Sequence, residues 1–139
     1  MPDQPSHTGR VLSVRGSVID ARFSEQLPRV QYQLVAGSDE DGVVEVVTHL
    51  DDETVRGIAL SRTQGLARND PIRNTGQPIH VPVGRATKGR VFNVLGEPID
   101  QKPPPDAEER RSIHRPAVGL TEQATKREIL RTGIKAIDL

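Results

Sequence analysis

Apolar residues recur in short runs separated by polar turns, and nearly all the runs are too brief for helices. The first, GRVLSVRGSVIDARF at 9–23, is rich in Val, Leu and Ile and is interrupted by Gly16. Leu12, Val14 and Val18 share one parity, whereas Ile19, Ala21 and Phe23 share the other. A change of face needs an extra residue, so a bulge or barrel corner is expected near Gly16. A second, weaker run covers 30–35. The polar tip GSDEDG at 37–42 then leads into VVEVVTH at 43–49. An acidic turn at 51–53 joins that run to 55–60, and the two should pair as a hairpin. Loop chemistry fills 64–71. Short strands are expected at 72–75 and 79–83, with a turn at 76–78. Some six short strands at close intervals predict a small all-β barrel or sandwich.

From residue 84 the pattern changes. Gly84 and Gly89 bracket a charged turn, and 91–95 reads as a buried strand closed by Gly96, Pro98 and Asp100. Pro103, Pro104 and Pro105 follow consecutively, which excludes a central strand or long helix and leaves an extended connector. Thr125 to Glu128 fits a capping box ahead of Ile129 and Leu130. Ile134 and Ile137 are spaced as on one helix face, and the pattern runs on to Leu139 without a stop signal. The sequence therefore reads as cut there, with 101–139 expected to be loose because its apolar face lacks a sheet.

Composition narrows the function classes. The 19 basic and 19 acidic residues balance, which argues against a surface dedicated to nucleic acid or anionic membrane. Phe23, Tyr32 and Phe92 are too few and too scattered for a base-stacking platform. No cysteine is present, so disulfides and thiolate metal sites are excluded. The lead MPDQPSH has neither a basic start nor an apolar core, and reads as a disordered segment rather than a signal peptide.

Candidate chemistry is sparse. Gly84 and Gly89 have the glycine spacing of GxxxxGK[ST], but Arg90 and Val91 stand where lysine and hydroxyl are needed. Asp51, Asp52 and Glu53 are adjacent on a turn and do not converge on one cation. His49, His80 and His114 lack metal-ligand spacing; His114 reads as a structural hydrogen-bonder in the connector. Arg85, Lys88 and Arg90 form a basic cluster that suits either a partner's acids or solvent. No nucleophile elbow occurs.

VPVGRATKGRVFNVLGEPID at 81–100 resembles the segment leaving the N-terminal barrel of the F-type ATP synthase beta subunit family. The similarity runs from Gly9 to Leu139 and includes Gly16-Ser17-Val18-Ile19-Asp20, HLDDETVRGIAL at 49–60, Gly76-Gln77-Pro78-Ile79 and Ile113-His114-Arg115-Pro116. Phe92-Asn93-Val94 and His114-Arg115-Pro116 look like beta rather than alpha, and Val55-Arg56-Gly57 is similar to a divergent bacterial branch.

The resemblance implies a mainly β fold: a disordered lead at 1–8, a six-stranded barrel at 9–83, and at 84–139 a connector with the truncated start of an α/β ATPase domain. It implies the N-terminal part of the catalytic subunit of a rotary enzyme, making ATP from ADP and phosphate on a proton or sodium gradient. ATP, ADP and magnesium are then cofactors of the full-length subunit, whose phosphate loop comes after the position of Leu139. No catalytic, cofactor-binding or metal-ligating residue is assigned to this chain, which is expected to be inactive alone. The implied partners are alternating alpha subunits in a hetero-hexameric ring and a central stalk, with no nucleic acid. Membrane contact is only through the complex, on the cytoplasmic side of the bacterial inner membrane. The alternative is a non-catalytic barrel module that binds partner subunits or single-stranded nucleic acid.

Overall fold

The computed structural model describes residues 8–107, 109–123, 129 and 135–138. The lead at 1–7, the capping box at 125–128 and Ile134 lie outside the described residues. Six antiparallel strands close into a barrel: β1 Thr8–Arg15, β2 Val18–Arg22, β3 Tyr32–Ala36, β4 Gly42–His49, β5 Thr54–Ala59 and β6 Pro71–Pro78. Their order around the wall is β1-β2-β5-β4-β3-β6. Pairing of Thr8 with Arg73, Gly9 with Ile72 and Arg10 with Pro71 closes the ring.

Alternation of side chains dictates the interior. Val11, Ile19, Ala21, Phe23, Leu34, Ala36, Val44, Val46, Val55 and Ile72 form the core, with every strand contributing. Two bulges adjust the faces. The register of β1 shifts between Val11 and Ser13, so that Val11 is buried and Val14, of opposite parity, also packs on the core. The register of β4 shifts between Val46 and Thr48, leaving Val47 exposed while Val46 stays buried.

Several barrel strands differ from those the sequence predicts. The interruption at Gly16 is a two-residue hairpin turn, not a bulge: Arg15 pairs with Val18, and Gly16 takes φ 63°, as the first position of a II′ turn requires. The run at 9–23 is thus two strands. At the other end, Gly76, with φ 76°, bends β6 without ending it, and Tyr32 still pairs with Pro78. Residues 79–83 then leave the barrel. His80–Val83 (β7) pairs instead with Glu109–Ser112 (β8) in a separate two-stranded sheet. The connector therefore contains a strand that its prolines and charges conceal. β3 also begins later than expected, because Gln31 takes φ 71°, outside the strand region.

The expected buried strand at 91–95 is absent. Phe92 and Pro98 form an isolated bridge, and Val91 and Val94 are exposed. Asn93 organises a turn in its place. Its Oδ1 accepts from the backbone N–H of Leu95 (3.0 Å) and Glu97 (2.9 Å), and its Nδ2 donates to Glu97 Oε2 (2.7 Å). An Asn side chain that binds its own backbone offers an alternative to the sheet ladder, and it prevails here. Beyond β8 only short helical turns occur among the described residues, at Leu120–Glu122 and Lys135–Asp138.

Close packing across β4 and β5 depends on Gly57. A Cβ there would stand 2.5 Å from Val44 Cγ1 and 2.7 Å from the Glu45 carbonyl oxygen. Gly57→Ala is expected to destabilise the barrel by about 1–3 kcal/mol in urea unfolding. Gly119→Ala, whose Cβ would find only Thr121 Oγ1 at 3.9 Å, should leave the urea midpoint in place.

Candidate functional site

The best-developed polar cluster lies on the outer wall, over β1, β2 and β5. Asp20 points away from the core, yet its side chain is only 11% exposed because Arg15 and Arg56 cover it. Arg56, its register partner on β5, donates from Nε to Asp20 Oδ1 (2.7 Å) and from Nη2 to Oδ2 (3.0 Å). Arg15 Nη2 (2.7 Å) and Ser13 Oγ (3.1 Å) also donate to Oδ2. The Arg56 hydrogen bonds chiefly, with Ser13 and the two guanidinium charges, hold the Asp20 carboxyl below its usual range against the opposing effect of burial. Both carboxylate oxygens are thereby occupied. The cluster stitches three strands and offers no free base.

The basic cluster expected at 85–90 divides. Arg85 and Lys88 are exposed around a single 3-10 turn, Arg85–Thr87. Arg90 turns inward as a fork on Asp100 (2.6 and 3.0 Å), and its Nη2 also donates to the Pro103 carbonyl (2.7 Å). The Arg90 guanidinium, helped by the backbone N–H groups of Lys102 and Val91, keeps the Asp100 carboxyl far below the ordinary carboxylate range. Gly89 is followed by extended chain and a bridge, not by a helix whose N-terminus would face an anion, and Arg90 is committed to Asp100.

The remaining candidates are also placed in structural contacts. Asp51 Oδ1 accepts from the Glu53 N–H (2.8 Å), and Glu53 is paired with Arg22 through Nε (2.8 Å). His49 Nε2 lies 2.7 Å from the Pro28 carbonyl oxygen and His80 Nδ1 lies 2.7 Å from that of Pro78. His114 Nε2 reaches Glu45 Oε1 on β4, at 2.7 Å, across 69 positions of sequence. That link brings connector and barrel together, and nothing in the spacing of the two residues announces it. Among the described residues no cluster of three or more His, Cys, Asp or Glu is placed to hold a metal. An open groove of about 670 Å³ runs between the Glu40–Asp41 tip, the Ser61–Arg62 loop and the Asn93 turn. Two of the carboxylates that line it are engaged: Glu40 by Arg73 (2.8 Å) and Glu97 by Asn93. The geometry is that of a braced wall with arginine–carboxylate pairs outside.

Residues 11–76 match the family model described as ATP synthase alpha/beta family, beta-barrel domain. The whole chain is 49% identical over 139 residues to ATP synthase subunit beta 2 of Syntrophotalea carbinolica, covering 100% of this chain and 29% of that protein. It is 44% identical over 137 residues to ATP synthase subunit beta 2 of Chlorobium luteolum, covering 99% of this chain and 29% of that one. Residues 11–76 are the beta-barrel domain of the ATP synthase alpha/beta family. The matched span begins inside β1 and ends inside β6, so the family's barrel domain is the closed barrel described above. Similarity to the two subunits beta continues through the connector, while the chain spans less than a third of their length.

The Asp20 cluster sets an acid limit on this ATP synthase family barrel. A carboxyl whose folded pKa is lowered stabilises the fold above its unfolded value, about 3.9, and loses that contribution as pH falls through the folded value. Asp20→Asn is expected to lower stability at pH 7 by roughly 1–3 kcal/mol. It should also flatten the fall in urea midpoint that the unaltered chain shows below about pH 4. An undiminished acid slope in the variant would remove Asp20 from this role.

Proposed function

We propose that this chain is the N-terminal part of the catalytic beta subunit of a rotary, ion-translocating F-type ATP synthase. The observation that carries the reading is the 44–49% identity to two ATP synthase subunits beta along essentially the whole chain, connector included. In this reading the barrel is the ring-forming domain and alternates with alpha-subunit barrels in a hetero-hexamer around a central stalk. A closed wall supports such a role. It has no open sheet edge to pair indiscriminately, and its outward arginines and acids are held in fixed geometry for side-on contact.

The reaction assigned to the longer subunit is synthesis of ATP from ADP and phosphate, driven by a proton or sodium gradient, or its reverse. Magnesium would neutralise the phosphate charge of the nucleotide there. No step of that chemistry is assigned to the described residues. Their part is to fix the barrel and to position the chain that leaves it, with 84–139 as the start of the nucleotide-binding domain. The complex is placed on the cytoplasmic side of the bacterial inner membrane, reached through its other subunits. No described helix is long and apolar enough to cross a membrane.

Two measurements test the reading. The reading frame beyond Leu139 should continue into a GxxxxGK[ST] segment, and the subunit it encodes should form an alternating hexamer with its alpha partner by native mass spectrometry. The 139-residue chain by itself should show neither magnesium-dependent ATP hydrolysis nor a calorimetric signal on ATP titration. Turnover by the purified short chain, or salt-resistant binding of single-stranded DNA in a gel shift, would overturn the assignment.

A further inference from the structure

The connector does not simply leave the barrel. It departs along β7, travels through 84–108, and returns as β8 to pair His80 with Ser112, Val81 with Arg111, Pro82 with Arg110 and Val83 with Glu109. Past β8 the return is stitched down further. Arg110 Nη2 donates to the His80 carbonyl (2.8 Å), and the Ile113 N–H donates to the carbonyl of Ile79 (3.0 Å), itself 2% exposed. His114 N–H donates to Ser112 Oγ (3.1 Å), and the His114 ring then reaches Glu45 Oε1 (2.7 Å). Glu45 sits on the outer face of β4, with Gln33 and Ile58 as its register partners.

A two-stranded ribbon by itself is marginal in water. This one is weaker still, because Glu109, Arg110 and Arg111 face solvent and bury no apolar surface. The core cluster of the barrel contains no described residue of β7, β8 or the segment between them. Besides the ladder to β7, what ties the returning strand to the outer face of β4 among the described residues is the His114–Glu45 side-chain pair. It is only partly exposed, at 31% for His114 and 19% for Glu45.

We propose that His114 and Glu45 form a releasable clasp that sets whether the chain leaving the barrel is seated on its wall. With the clasp closed, residues 109–114 lie against β4 and β7, and everything downstream departs from a fixed point. With it open, the ribbon has too few contacts to persist, and the return segment detaches while the barrel stays folded. His114 and Glu45 are thus positioning residues, each acting on the path of the chain. The inference rests on the geometry alone and stands or falls independently of the ATP synthase reading.

Amide hydrogen exchange on the full 139-residue chain, at one fixed pH, tests it. The reporter of the clasp is the Ile113 amide. The reporters of the barrel are the amides of Val11, bonded to the Asp70 carbonyl (3.0 Å), and Phe23, bonded to that of Glu53 (2.7 Å). His114→Ala is expected to speed exchange at Ile113 about tenfold, with Val11 and Phe23 unchanged, since loss of a hydrogen bond to a charged group opens only what that bond held. Glu45→Ala should do the same, and the double variant should add little to either, as expected of two residues acting through one contact. His114→Gln, which keeps a donor at similar reach, should restore slow exchange. Unchanged exchange at Ile113 in His114→Ala would overturn the clasp. So would acceleration at Val11 and Phe23 in step with Ile113, which would mark general unfolding instead.

Discussion

The structure depends on the closure between β1 and β6. Thr8, Gly9 and Arg10 lie opposite Arg73, Ile72 and Pro71, and these few pairings convert an open sheet into a ring. Six strands of five to eight residues enclose a core with few large side chains, and an open sheet of that size would present two unpaired edges to water. Closure removes both edges. It requires strong local bends, which Gly76 and the bulges of β1 and β4 supply. It also requires small residues where strands approach closely, which accounts for Ala21, Ala36 and Gly57 inside.

With the interior sealed, charged groups are left to organise the outside. Asp20 gathers Arg56, Arg15 and Ser13 across three strands, and Arg90 and Asp100 brace the hairpin that follows the barrel. These pairs differ in what they join. The Asp20 cluster ties neighbouring strands already held by backbone ladders. The Arg90 fork and the His114–Glu45 contact tie segments that share no long ladder, so their loss changes the course of the chain more than the stability of the core. A fragment spanning less than a third of its relatives' length thus carries two kinds of structure: a closed wall that stands on its own core, and an exit path seated on that wall by a few named contacts.

Much of the barrel was legible in the order of residues. The hairpin of 43–49 with 55–60, the polar tip at 37–42 and the acidic turn at 51–53 all follow from period-two alternation and turn residues, and each is present. Six strands were expected and six are found, but the two sets differ. A two-residue turn at Gly16 is so short that alternation on either side reads as one strand with a fault. A glycine bend within β6 imitates a turn. The run at 91–95 reads as a buried strand on composition, yet Asn93 satisfies the local backbone and leaves Val91 and Val94 outside. The basic cluster at 85–90 was visible, but which member turns inward was not, because that depends on Asp100 coming within reach of Arg90.

The sequence by itself determined the β class, the turns at 37–42 and 51–53 and the family, since alternation, turn-residue chemistry and extended similarity are all local or additive along the chain. The tertiary structure alone decided which strands close the barrel, that 79–83 leaves it to pair with 109–112, and that His114 lands on Glu45. Those outcomes join residues tens of positions apart. Their energies exist only after the ring has closed and its outer wall has become a surface on which the returning chain can settle.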